Sequence, residues 1–179
     1  MSRTLSTLGY PTLSIADRAV LDALRSKHDR RKAAVVQPHF TMVFGLTDQD
    51  ETKYMKHVEA VADKENAIRF HCLYAMPGIG HSDDGAYVFL VPDEGNSAIS
   101  LLHDRLYTGI LACSLRLDLP YIPHITVGTS SGSREAKLLC DEINAKGLSI
   151  SGKIEALTVA ALDGSEVRDL SSFALRPSP

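Results

Sequence analysis

A chain of 179 residues with 44% apolar and 23% charged side chains has enough apolar material to fill a core, which excludes a disordered or low-complexity protein. The formal net charge of -3 argues against a protein that grips a long nucleic-acid duplex, because such proteins meet the phosphate backbone with a basic face. No run approaches the roughly 18 apolar residues that span a bilayer, the first residues lack the apolar stretch of a signal peptide, and three widely spaced cysteines without a CxxC pair read as buried reduced thiols, so the expected setting is the cytoplasm.

Ser14 opens a helical pattern with Asp17 three residues on, a near capping box, and the helix is predicted to reach about His28. Residues 39–44 are predicted as a strand in which Phe40, Met42 and Phe44 alternate with His39, Thr41 and Val43. A second helix is expected over 49–64, with Tyr54, Val58 and Val61 on one face. A strand over 67–76, a loop over 77–84 and a strand over 86–91 follow. The third helix, 96–110, carries Ile99, Leu102, Leu106 and Ile110 on one stripe. A strand over 121–127 and a turn over 128–132 lead into a fourth helix, 133–146, with Ala136, Leu139 and Ile143 inward. Strands near 154–162 and 173–175, around a turn at Asp163 and Gly164, close the chain.

One pattern occurs twice: Pro-His-apolar-Thr-apolar, then a helix, then a strand. The first copy starts at Pro38 and the second at Pro123. This predicts an α+β fold of two similar halves facing each other across a central groove, a duplicated unit of antiparallel sheets flanked by helices. The whole chain, 1–179, then forms one two-lobed domain.

Of the seven histidines, only His39 and His124 have a threonine two places later. On a strand, residues two apart point to the same face. His39 therefore emerges with Thr41, and His124 with Thr126, while Phe40, Met42, Ile125 and Val127 anchor the strands. Two such strands on one groove bring two imidazoles and two hydroxyls to one point. That set suits phosphoryl transfer without a metal. One ring takes a proton and the other gives one near neutrality, and the hydroxyls donate to non-bridging phosphoryl oxygens.

The paired motifs, with stretches such as Tyr10-Pro-Thr-Leu-Ser14, Pro38-His-Phe-Thr41 and Tyr121-Ile-Pro-His-Ile-Thr-Val-Gly128, resemble the two-histidine phosphoesterase superfamily of 2'-5' RNA ligase-like proteins and 2',3'-cyclic nucleotide phosphodiesterases. The resemblance implies a bilobal fold, His39 and His124 as acid and base, and Thr41 and Thr126 on the phosphate. The expected partner is a small cyclic-phosphate nucleotide or an RNA terminus, with no cofactor, no metal and a monomeric chain. Two rivals stand beside this reading. One is a non-catalytic module that binds a nucleotide or RNA end. The other is a metal hydrolase that adds loop residues such as His81 and Asp83, near Asp84.

Tyr10 and Tyr121 are candidates for base stacking, and His71 and Tyr74 for the groove rim, although ordinary packing weighs at least as much for each. Arg69 and Arg116 are weighed as phosphate contacts against solvated surface charges. His28, His57 and His103 fall on predicted helices and are expected at the surface. Gly128-Thr-Ser-Ser-Gly132 matches a GxSxG nucleophile elbow. No histidine follows it in the chain, so it reads as a helix start capped by Ser131 or Ser133.

Overall fold

The computed structural model of the chain describes residues 3–79, 85–164 and 166–178. Its strands are β1 (Thr4–Gly9), β2 (Pro11–Leu13), β3 (Phe40–Leu46), β4 (Ile68–Ile79), β5 (Ala86–Glu94), β6 (Ile125–Ser130), β7 (Ile150–Ile154), β8 (Ala156–Asp163) and β9 (Glu166–Ala174). Its helices are α1 (Ile15–His28), the short α2 (Arg30–Ala33), α3 (Glu51–Ala62), α4 (Asn96–Leu106) and α5 (Ser133–Ala145), with a 3-10 helix over Gly109–Ser114. Among these helices none is long and apolar enough to cross a membrane.

The strands form a nine-stranded sheet in the order β2-β7-β4-β5-β6-β3-β1-β8-β9, antiparallel throughout. At its centre β6 and β3 meet through one residue pair, Ile125 with Phe40. From that seam the order runs outward as β6, β5, β4 on one side and β3, β1, β8 on the other. Helices α1 and α5 pack on the β6 side, α3 packs against β8 and β9 on the β3 side, and α4 lies across β3, β4 and β5. The curled α+β sheet flanked by helices is the expected fold class. The repeat is interlocked rather than sequential. The second strands of both copies, β4 and β7, pair with each other in the same half.

Local chemistry explains the elements. Ser14 caps α1: its Oγ accepts the Asp17 N–H at 3.0 Å and donates to the Asp17 carboxylate at 2.9 Å. Asp50 caps α3 by accepting the Lys53 N–H at 3.0 Å. Helix α4 stops at Leu106, short of the expected 110, because Gly109 takes φ 53 and starts a tighter turn. Strand β4 runs on through Pro77 and Gly78, where a loop was expected. There Gly78 pairs with Tyr87, and its missing side chain leaves room for the Phe89 ring.

Two register breaks shape the middle of the sheet. Leu8 pairs with Thr41 but Thr7 pairs with Val43, so Met42 is an extra residue in β3. Phe89 pairs with Thr126 but Val88 pairs with Gly128, so Val127 is an extra residue in β6. A bulge at this point swaps the faces of every later residue. Phe44, which strict alternation would set on the side of Phe40 and Met42, turns to the same side as Thr41. Each motif strand thus carries a bulge immediately after its threonine, and Phe40, Met42, Ile125 and Val127 are fully buried beneath.

Candidate active site

His39 stands one residue ahead of β3 and His124 one residue ahead of β6. The Phe40–Ile125 pair sets the register between them. Antiparallel strands count in opposite directions, so Thr41 lies opposite His124 and Thr126 lies opposite His39. Opposite side chains share a face with Cβ atoms roughly 4.5–5.5 Å apart. Each histidine therefore has its own threonine along the strand and the other motif's threonine across it. All four line one cavity of about 180 Å³.

The prolines that precede both histidines have a visible consequence. His39 Nδ1 lies 2.7 Å from the Gln37 carbonyl oxygen, and His124 Nδ1 lies 2.6 Å from the Ile122 carbonyl oxygen. In each case the carbonyl belongs to the residue before the proline. Proline fixes its own φ and keeps its predecessor extended, which holds that carbonyl under the ring two residues on. A carbonyl can only accept, so Nδ1 carries the proton and Nε2 becomes the proton-exchanging atom of each neutral imidazole.

The two rings differ in their supports. His124 stacks on Phe89 with centroids 3.6 Å apart and planes at 19°. His39 meets the edge of Tyr10 at 6.2 Å. Burial pushes His39 down to about 4, against the pull of its bond to Gln37. Arg25 and Lys32 push the same way as burial, and Asp169 opposes them. His39 therefore rests neutral in the unliganded site. The unfolded chain takes up this proton near pH 6.5, before the folded chain does near 4. Stability is accordingly lost as pH falls through that window. His28 and His103 are lowered too, but they are common to wild type and a His39→Asn variant. Thermal melts from pH 7 to pH 4 are expected to fall more steeply for wild type. Parallel curves would remove His39 from this account.

The cavity wall holds residues that sequence reasoning missed: Arg25 and Asp29 from the end of α1, Lys32 from α2, Phe44, and Tyr87 with Phe89 from β5. Lys32 Nζ sits 4.0 Å over the Tyr87 ring. Two signals were available. Tyr87 and Phe89 are two apart on a predicted strand, so they share a face. Arg25 falls one helical turn after Leu21, on the buried stripe of α1, where a charge is out of place.

The remaining candidates lie elsewhere. The Tyr10 hydroxyl donates to Asp169 at 2.9 Å, which ties it behind His39. The Tyr121 hydroxyl donates to the Thr41 carbonyl at 3.0 Å, and its ring stacks on His103 at 3.7 Å. Both tyrosines brace the strands and neither lines the cavity. His71 bonds Ser149 at 2.9 Å on the far arm of the sheet, where β4 meets β7. Tyr74 is exposed farther along the same strand. Arg69 faces another groove beside Lys153, and Arg116 pairs with Asp118 at the surface. His103 is buried, against expectation, because Tyr121 and Tyr107 enclose it. Cys72 and Cys140 are buried, whereas Cys113 is exposed. Gly132, not a serine, takes the N-cap of α5, and Ser131 donates to Glu135 instead. Among the described residues no cluster of three or more His, Cys, Asp or Glu side chains could hold a metal. His81, Asp83 and Asp84 lie outside the described residues.

Two His-x-Thr strands seamed side by side over one cavity, in an antiparallel sheet flanked by helices, are the pattern of the two-histidine phosphoesterase superfamily. The chain belongs to the 2'-5' RNA ligase superfamily, whose sequence profile matches residues 11–166. A Geobacillus sp. (strain WCH70) protein that carries a provisional phosphoesterase name is 27% identical over 126 residues, 66% of this chain and 65% of that relative, just under two thirds of its length. Among solved structures, a Thermus thermophilus protein superposes with TM-score 0.61 at 18% identity, covering 98% of this chain and 100% of that one. E. coli LigT in apo form gives TM-score 0.58 at 18% identity, covering 98% and 99%. Its complex with 3'-AMP gives 0.57 at 17%, covering 97% and 98%. At these identities the likeness speaks for the fold.

Proposed function

We propose that this chain is a phosphodiesterase that opens 2',3'-cyclic phosphates on nucleotides or RNA ends, with His39 and His124 as the acid–base pair and no metal. The observation that carries the reading is the crossed register, which sets two imidazoles with pinned Nδ1 atoms and two hydroxyls around one cavity. One Nε2 takes a proton from water as the water oxygen bonds to phosphorus. The bond from phosphorus to one ribose oxygen breaks, and the other imidazole gives that oxygen its proton. The products are a phosphomonoester and a free ribose hydroxyl. The histidines have then exchanged protonation states, and solvent resets them. Thr41 and Thr126 donate to the non-bridging oxygens, where charge builds up. With the 5' hydroxyl of a second RNA end as nucleophile in place of water, the same groups form a 2'-5' phosphodiester as the bond from phosphorus to the 3' oxygen breaks and that oxygen takes the proton, which joins RNA ends. The complexes of E. coli LigT with 3'-AMP, ATP and NADP+ support a nucleotide as ligand.

Size supports a two-part site for the proposed ligand. A cavity of about 180 Å³ takes a phosphate but is smaller than the roughly 300–1,000 Å³ of ordinary ligand pockets. A second chamber of about 460 Å³ shares Lys32, His39 and Thr41 with it, and adds Leu8, Val35 and Val36 as apolar lining. The nucleoside fits that chamber. Val36→Arg, which fills it, is expected to raise KM about tenfold with little change in kcat, as for lost uniform binding. An unchanged KM in initial-rate assays would move the nucleoside elsewhere.

The test of the function itself is incubation of the wild-type protein with a panel of 2',3'-cyclic nucleotides and cyclic-ended RNAs in the presence of a chelator. A phosphomonoester product is expected. No product from any of them overturns the reading. Turnover that vanishes with chelator and returns with added metal replaces it with metal hydrolysis.

A further inference from the structure

Arg25 is 3% exposed, and its Nε has no hydrogen-bond partner. One turn later Asp29 is also 3% exposed, with Oδ2 unpartnered. The two influence each other's charge, yet no ion pair within 4.0 Å joins them. A buried guanidinium without a hydrogen-bonded counter-charge is among the least favourable features a folded chain can keep. A helix end that needs a cation is served equally well by an exposed one, and Lys27 already stands in the last turn of α1. The buried position therefore calls for another reason. Both side chains with these unpartnered atoms line the same cavity as His39, Thr41, His124 and Thr126, with Lys32 beside them.

We propose that Arg25 is a third contact to the non-bridging oxygens of the bound phosphoryl group, steered by Asp29 and supported by Lys32. The site would thus take its anion between two walls: threonine hydroxyls from the sheet, and a guanidinium from α1. This rests on the phosphodiester reading above. Asp29 keeps one oxygen for the guanidinium or for a donor on the ligand, which explains why its own Oδ2 is unpaired without a ligand. As water adds to phosphorus, charge on these oxygens grows, so Arg25 acts more strongly on the transition state than on the bound substrate. Arg25 also lies close enough to lower the His39 proton affinity, which is consistent with the same placement.

The experiment measures orthophosphate binding by calorimetry, thermal melting with and without phosphate, and turnover of a 2',3'-cyclic nucleotide, for wild type, Arg25→Met and Arg25→Lys. Arg25→Met is expected to lose at least tenfold in phosphate affinity and about 10²-fold in kcat, with a smaller change in KM. Without phosphate it melts at or above wild type, because an unpaired buried charge has been replaced by an apolar chain of similar length. Arg25→Lys keeps the charge without the fork and falls between. Arg25→Met that melts lower yet binds phosphate as wild type does would make Arg25 a structural residue and overturn the proposal. If Arg25→Met does not fold, Arg25→Lys decides: a fall of about threefold or more in phosphate affinity supports the contact, and an unchanged affinity overturns it. Phosphate binding that depends on Arg25 in a protein with no turnover of any cyclic phosphate would leave this contact standing and sink the phosphodiesterase reading instead.

Discussion

Replacing His39 or His124 with alanine is expected to lower turnover of a 2',3'-cyclic nucleotide by roughly 10²–10⁴-fold each, the range for losing a positioned general acid or base. Neither ring is part of the fully buried core, so both variants should fold, and circular dichroism with a thermal melt checks that. The two losses should not add. A proton taken by one ring and a proton given by the other belong to the same displacement, so the double variant should be little worse than either single one. That non-additivity is the sharper part of the test. Two independent structural histidines would give losses that multiply. Full activity in either folded single variant would end the acid–base proposal.

Thr41→Val and Thr126→Val are expected to cost about 10²-fold each in kcat/KM, as removal of a donor to a charged oxygen does. Valine keeps the shape and the strand preference of threonine, so stability should change little. The crossed register adds a distinction between coupling along a strand and coupling across the seam. Thr126 faces His39 across the seam, as Thr41 faces His124. If the four side chains close around one phosphate, the pair His39 and Thr126 should be as strongly coupled as His39 and Thr41 in double-mutant cycles. Coupling only along each strand would mean two separate sites. Unchanged kcat/KM in both valine variants would take the hydroxyls out of phosphate binding.

Much of the fold and of the candidate site is legible in the sequence. Helix α1 is readable because a serine capping a helix is a local event, and α3 because its apolar residues recur on one face. Strands β3 and β6 were readable because a strand with one buried face alternates. Strand β1 was not. Thr4-Leu-Ser-Thr-Leu-Gly9 shows no alternation, since Ser6 and Thr7 are buried as well, and their hydroxyls are satisfied by the Val43 carbonyl at 2.7 Å and the Tyr54 hydroxyl at 2.8 Å. A polar residue whose partner lies forty residues away leaves no periodic trace. Phe44 departs from strict alternation for a related reason. The bulge at Met42 depends on the register with β1, and a register is a property of two strands.

The site divides along the same line. Spacing along one strand is enough to mark the groups proposed to react, two histidines and two threonines, because it decides which side chains share a face. The tertiary structure alone decided how those groups meet. The Phe40–Ile125 seam sets each histidine against the other motif's threonine. The packing of α1 brings Arg25 and Asp29 over the cavity, and β5 slides Phe89 beneath His124. Tyr10 and Tyr121 show the converse. Both are candidates for base stacking by residue type, and packing uses both as supports. Such long-range neighbours follow from the burial of surfaces far apart in the chain, which no local pattern encodes.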